Sequence, residues 1–424
     1  MERIVADLVV EEAAQLLTCA ADAPDRIGLV EDGWVALAGE RIVAAGTRGE
    51  VEAAADLSRA RRLDARGKVV APGFVDCHTH LVFGGTRVEE YAARLATDDP
   101  EELRRRGVPT GIGVTIRATR SASEEELFLQ AAARLEGMLL WGTTTVEGKS
   151  GYGLDTETEL KQLRVNRLLE RAYPVEVVST FLGAHGWPED TSKERYLDLL
   201  EREMLPAVRE QGIAEFCDVW CDEGHYDAAD SRRILEAGLA AGLAPKIHTG
   251  AYSHVGGAEV AASLRAASAD HLNYTPRGSL EALARSGVTG VLLPGIDFAV
   301  RHPRPADPRP MEEAGLELAL ATNCCPGCWC TSLIFVLILA CRNHRLRPAE
   351  ALRAATLGGA RALRRGDRIG SLEPGKQGDL QIWNLSRYED LIYHLGSNPV
   401  ETVVRRGNVS VDRGRLTART NRND

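Results

Sequence analysis

A chain of 424 residues, 44% hydrophobic and 26% charged, is long enough to bury one large domain and a smaller one. Its formal net charge of -10 offers no basic face, which excludes unspecific nucleic-acid binding. No run reaches the roughly eighteen apolar residues of a membrane helix, "MERIVADLVV" opens with charges and lacks the apolar core of a signal peptide, and nine cysteines without regular spacing do not form a secreted disulfide framework. The expectation is therefore a cytoplasmic protein with reduced thiols and no nucleic-acid or membrane partner.

In chain order, "RIGLVEDGWVALAGERIVAAG" alternates short apolar runs with glycine turns, the pattern of short strands. "GSLEPGKQGDLQIWN" and "TVVRRGNVSVDRGRL" near the other end share it, so residues 1–68 and 371–424 are predicted to form one small β-sandwich built from both chain ends. Between them, residues 69–370 alternate eight β-like runs with longer amphipathic segments. The runs are "VVAPGFVDCHTH", "GTTTVEGKS", "VEVVSTFLGAH", "CDVWCDE", "APKIHTG", "ASADHLN", "VTGVLLPG" and "LELALATN". Helices are predicted over "SEEELFLQAAARLEGMLLWG", "DTETELKQLRVNRLLERA", "ERYLDLLEREMLPAVREQG" and "DSRRILEAGLAAG" from apolar spacings of three and four. Eight strand and helix units predict an α/β fold, a (β/α)8 TIM barrel, whose catalytic groups stand at the C-terminal strand ends.

Those ends are polar. They carry His78 and His80, Glu147, His185, Asp222 with Glu223, His248, His271 and Asn323, so that five of the ten histidines occupy strand ends. In "DCHTH" the two imidazoles are two residues apart and project to the same side of an extended chain. With His248 and His271 at later ends, this is a metal-ligand pattern. A divalent ion in such a site lowers the pKa of water and polarises a carbonyl, and a carboxylate usually takes the proton. The last strand supplies Asn323 where that carboxylate would stand.

The segments "PGFVDCHTHLVFGGTRVEEYAARL", "GTTTVEGKSGYGLDTETELKQLRV", "TFLGAHGWP", "DVWCDEGHYD" and "SLEPGKQGDL" resemble the imidazolonepropionases, amidohydrolase-superfamily enzymes of histidine degradation. The resemblance implies a (β/α)8 barrel with a β-sandwich domain, one divalent metal ion (zinc or iron), a homodimer, and a small-molecule substrate. The reaction it implies is hydrolysis of the ring amide of 4-imidazolone-5-propanoate to N-formimino-glutamate. It implies that His78, His80 and His248 are metal ligands, with Asn323 at the fourth position, and that His271 adjoins the reacting water. It further implies that Arg87, Tyr152 and His185 bind substrate, together with Gly327 and Cys328 of the loop after strand eight. An arginine suits a propionate because its planar fork pairs with a carboxylate. The competing reading of Arg87 is a surface ion pair with Glu89 or Glu90.

The departures from that family lie at the centre of the chemistry. Asn323 replaces the strand-eight aspartate, Gly250 and Ala251 replace an acidic pair that includes a proton-shuttling glutamate, and the following loop reads Cys325, Pro326, Gly327, Cys328, Trp329. Losing a positioned base costs about 10²- to 10⁴-fold in rate. Four of the nine cysteines fall within residues 324–330. They are open to four readings: a separate structural metal site, a thiolate from Cys324 or Cys325 completing the metal shell, a catalytic thiolate in a non-hydrolytic descendant, or small thiols filling space. "GVPTGIGV" lacks the strand-to-helix context of a phosphate cradle, and "TSLIFVLILACRNHRL" reads as an apolar helix packed on the barrel or a partner subunit.

Overall fold

Each of the eight predicted runs contributes one strand to a single parallel sheet that follows chain order. In this computed structural model, which describes residues 3–97 and 99–417, the barrel strands are Phe74–Asp76, Thr143–Lys149, Glu176–Ala184, Phe216–Cys221, Ile247–Thr249, Ser268–His271, Thr289–Leu292 and Leu318–Leu320. The ring closes where strand eight runs on beside strand one: Asn323 N donates to His78 O at 3.0 Å and His80 N to Cys324 O at 2.9 Å. Strand two is buried at all seven positions and strand three at all nine, because parallel strands are covered on both faces.

The helices that cover the sheet begin where their side chains can cap them. Ser123 and Glu126 form a capping box ahead of Glu124–Leu140, and Asp155 accepts from Thr158 N ahead of Thr156–Ala172. The segment expected as one helix over "ERYLDLLEREMLPAVREQG" is interrupted. Lys193–Leu199 and Leu205–Gln211 are α-helical, with a wider π turn over Leu200–Met204. Pro206 explains it, since a proline cannot donate to the preceding turn and its ring crowds the carbonyl there. Among the described residues no helix is long and apolar enough to cross a membrane, and the apolar segment after the cysteines forms the ten-residue helix Leu333–Arg342.

Both chain ends build the second sheet. Leu8–Leu17 pairs with Leu29–Ala38, and Leu380–Trp383 pairs with Val400–Arg405. The strand that joins these halves is Val69–Pro72, parallel to the first and antiparallel to Leu380–Trp383. The run "VVAPGFVDCHTH" therefore serves two sheets, which meet at Gly73. A glycine is needed at that crossing, since a Cβ on Gly73 would stand 2.3 Å from Thr144 Oγ1.

Candidate active site

The C-terminal strand ends bring five imidazoles into one chamber. The rings of His78 and His248 are 4.5 Å apart between centroids, His80 and His185 stack at 4.9 Å, and His271 lies 5.6 Å from His248 and 5.8 Å from His78. One ligand atom each from His78, His248 and His271 falls within 4.8 Å of the others, and the same holds for His80, His185 and His248. The sharp exit of strand six helps: His271 and Leu272 have φ of 82° and 63°, left-handed values that cost a side-chain-bearing residue about 1–3 kcal/mol each.

Carboxylates beneath the chamber aim the rings. His78 Nδ1 meets Asp270 Oδ2 at 2.5 Å, and His248 Nδ1 meets Asp218 Oδ1 at 3.1 Å. With the carboxylates as acceptors, each Nδ1 holds the proton and each Nε2 lone pair faces the chamber. Both Nε2 atoms are buried without a hydrogen-bond partner, as are His80 Nδ1 and Asn323 Oδ1. Burial holds His78, His80 and His271 well below the ordinary imidazole range, so they stay neutral, the form that binds a cation. Burial pushes Asp270 up despite Lys246 and Lys149; at Asp218 burial is outweighed by His248 and Lys149, which hold it below the usual carboxylate range. The two histidine groups share His248, and the unpaired Nε2 atoms of His78 and His248 stand over the acids that orient them, a donor set that fits a divalent ion.

Asn323 sits at φ 48°, in a left-handed conformation that asparagine tolerates well, and its amide is 5% exposed. The neighbouring Thr322 is fixed by Asp76, which accepts from both its N and its Oγ1; burial lifts this carboxyl to about 7. At Gly250, φ is +69° and a Cβ would meet Thr275 Oγ1 at 2.8 Å, so any side chain there is strained.

The flanks carry the residues expected to meet substrate. Tyr152 is 5.5 Å from His80 and 5.2 Å from His185, ring to ring, held on a loop whose amides at Gly151, Gly153 and Leu154 donate to the buried Glu159. His185 donates from Nδ1 to Gly151 O at 3.1 Å, which leaves its Nε2 an acceptor. Arg87 makes the ion pair with Glu90 and also borders a cavity. Its Nε donates to Glu90 at 2.7 Å, and its guanidinium lines a cavity of about 320 Å3 together with Tyr252, Val300, Pro326 and Gly327. Asp222 and Glu223 stay outside the chamber: Asp222 fixes Tyr252 N and Ser253, and Glu223 is exposed.

The cysteine loop is a tight turn over Pro326 and Gly327, with Cys325 and Cys328 exchanging backbone hydrogen bonds of 3.1 Å. Among the described residues, no cysteine sulfur belongs to a cluster able to hold a metal, which removes the support for a separate thiolate site or a His3Cys shell. Burial also pushes all four thiols up, Cys330 to about 11, which opposes thiolate formation at Cys324 and Cys325. Of the two loop residues expected to bind substrate, Gly327 borders the cavity beside Arg87, and the Cys328 sulfur points to Thr322 O at 3.9 Å.

The residues that sequence reading missed are the supporting ions. Lys149, Asp218, Lys246 and Asp270 are fully buried, and Arg134 donates to Leu81 O and Phe83 O with its guanidinium 3.5 Å from the Phe83 ring. A signal was available for the lysines, because each lies two residues from a polar strand-end residue, Glu147 or His248, on the same strand face.

A parallel barrel with histidines gathered at one mouth and a second sheet made from both chain ends defines a class. The chain belongs to the amidohydrolase family, whose model matches residues 69–410. Its relatives within that family include imidazolonepropionase of Geobacillus kaustophilus, 44% identical over 96% of this chain and 99% of the relative. Imidazolonepropionases of Haloarcula marismortui (44%, covering 95% and 96%) and Alkaliphilus metalliredigens (40%, covering 97% and 100%) match at similar length. Among solved structures, an adenosine deaminase from Xanthomonas campestris with bound zinc superposes with a TM-score of 0.73 at 20% identity, covering 98% of this chain and 95% of that one. That likeness is one of fold.

Proposed function

We propose that this chain is a metal-dependent hydrolase of the imidazolonepropionase type, opening a C–N bond of a small cyclic amide that bears a carboxylate. The observation that carries it is the set of unpaired buried ring nitrogens of His78, His80 and His248 at one barrel mouth, in a chain that matches imidazolonepropionases over nearly their full length. These three histidines and Asn323 Oδ1 would hold the ion, zinc or iron. When bound, it would bring the pKa of a water toward neutrality and polarise the ring carbonyl.

The chain's own groups supply the rest. Arg87 offers its guanidinium to the carboxylate arm. Tyr152 flanks the ring, and His185 accepts a ring N–H at Nε2. The attacking water loses a proton to a ring nitrogen of His271, which returns it to the departing ring nitrogen, because the Asn323 amide is no base and Gly250 and Ala251 have no acid to offer. Burial weakens His271 as a base, so hydrolysis of 4-imidazolone-5-propanoate is slow in this chain. The altered strand-eight end fits a role in specialised metabolism, apart from general histidine degradation.

The test is metal content of the purified protein paired with imidazolone hydrolysis by the native chain and Asn323→Asp. Restoring the carboxylate is expected to raise kcat about 10²-fold. A metal-free native protein, or a variant no faster than the native chain, would overturn the reading.

A further inference from the structure

We propose that Lys149 is a positioning residue for the metal: one buried ammonium fixes both carboxylates that aim His78 and His248, and thereby sets the affinity for a divalent ion. This rests on the metal-dependent reading above.

The geometry points to it in three steps. First, Lys149 Nζ lies 2.6 Å from Asp218 Oδ2, 2.9 Å from Glu147 Oε1 and 3.6 Å from Asp270 Oδ2, and all four side chains are fully buried. Secondly, Asp218 and Asp270 are the acids that hold Nδ1 of His248 and His78. A ring free to rotate about χ2 carries its Nε2 away from the ion; Lys149 holds the His248 support by a direct hydrogen bond to Asp218 and the His78 support by charge, with Ser268 Oγ also donating to Asp270 at 2.6 Å. The linkage joins side chains from barrel strands one, two, four, five and six, which no backbone ladder could align to that tolerance.

Thirdly, the molecule contains its own control. Lys246 is equally buried and its charge also acts on Asp270, but its Nζ contacts are Glu147 Oε1 at 2.9 Å and Cys77 O at 3.0 Å, neither of which holds a ring. A lysine that only balances buried charge could be either one. A lysine that positions ligands must be Lys149. Taking an ammonium out of water is costly unless several acceptors receive it, and Lys149 is placed where those acceptors double as ligand supports.

The experiment measures zinc affinity by competition with a chromophoric chelator, beside urea unfolding of the same metal-free proteins. Lys149→Met is expected to weaken zinc binding 10- to 100-fold, the range for losing a group that orients ligands, whereas Lys246→Met shifts it less than about threefold even where it lowers the unfolding midpoint equally. Equal losses of affinity in both variants, or native affinity in folded Lys149→Met, would overturn the proposal. If Lys149→Met does not fold, Lys149→Gln decides, since it keeps a polar donor and removes the charge: an affinity within twofold of the native value overturns the proposal, and a greater loss supports it. A native chain that binds no zinc or iron defeats the metal reading itself, a result distinct from native binding that Lys149→Met leaves untouched.

Discussion

The two ends of the barrel bury acids in different company. At the N-terminal end Glu176, which opens strand three, receives Arg365 Nε at 2.7 Å and Arg368 Nη2 at 3.1 Å on one oxygen, with Arg405 and Arg406 3.8 Å from the other. Arg365 also grips Glu215 at 2.7 Å. At the C-terminal end the acids meet lysines and imidazoles, and the far nitrogens of those imidazoles are left without a partner. The guanidinium hydrogen bonds converge on one Glu176 oxygen and end there, leaving the other oxygen within charge contact only, whereas imidazoles pass the chain of contacts on to a second nitrogen. The first arrangement holds the barrel to the strand Val400–Arg405 of the small sheet, and the second prepares a site.

The sharpest way to break that contrast is Arg365→Met. It removes the best partner of a carboxylate that is 4% exposed, and breaking a buried pair costs about 3 kcal/mol. Urea unfolding should show the loss equally with and without zinc; a fall in zinc affinity would mean that the two ends are coupled. Next in size is His248→Ala, which removes a ligand from the other end. Zinc at a hundredfold excess over Kd stabilises a protein by about 2.7 kcal/mol. That zinc-dependent rise in Tm should vanish in the variant, and chelation of the native protein should reproduce the loss.

A smaller effect separates the ends by pH. Burial opposes the charge on Glu176, but Arg365, Arg368 and Arg405 outweigh it and hold its pKa below the ordinary 4.5. Its folded pKa is thus below its unfolded one, so its stabilisation is present above about 4.5 and is lost as pH falls through the folded value. Unfolding free energy measured downward from pH 5 should fall, and Glu176→Gln should flatten that part of the curve. An unchanged slope would assign the acid sensitivity elsewhere.

Much of this was legible in the residue order. Eight β-like runs gave eight barrel strands because parallel strands are short, apolar and separated by helices, and the histidines at their ends converged as a closed ring requires. The meeting of the two sheets at Gly73 was not legible, since "VVAPGFVD" is apolar throughout and only pairing shows where one sheet hands over to the other. Nor was the break at Leu200–Met204, where apolar periodicity continues across Pro206. The ion lattice under the histidines was hidden for a different reason: Asp218, Lys246 and Asp270 look like ordinary strand polar residues until tertiary structure gives them partners across the barrel. The depth of the cysteines was not legible either: a dense thiol cluster suggests chemistry, while burial, which only tertiary structure shows, opposes the thiolate.

The cysteine loop supplies the smallest effect and the finest division within the C-terminal end. Cys325 is 8% exposed and beside Arg87; a Cβ on Gly327 would be 3.8 Å from its sulfur and 4.0 Å from Arg87 Nη1. Burial pushes the thiol up, while the amides of Gly327 and Cys328 and the charge of Arg87 pull against it without prevailing. On the proposed function, a protonated thiol here fills volume beside Arg87 and carries no step of the reaction. Cys325→Ser should therefore cost about 1 kcal/mol or less, the scale of one mildly mismatched buried polar group, and should raise KM by a small factor with kcat nearly unchanged. Steady-state kinetics on imidazolone, with Asn323→Asp as the background so that turnover is easily read, provides the check. A collapse of kcat in Cys325→Ser would move the reacting centre from the imidazoles to sulfur, and the unpaired nitrogens of His78 and His248 would then need another explanation.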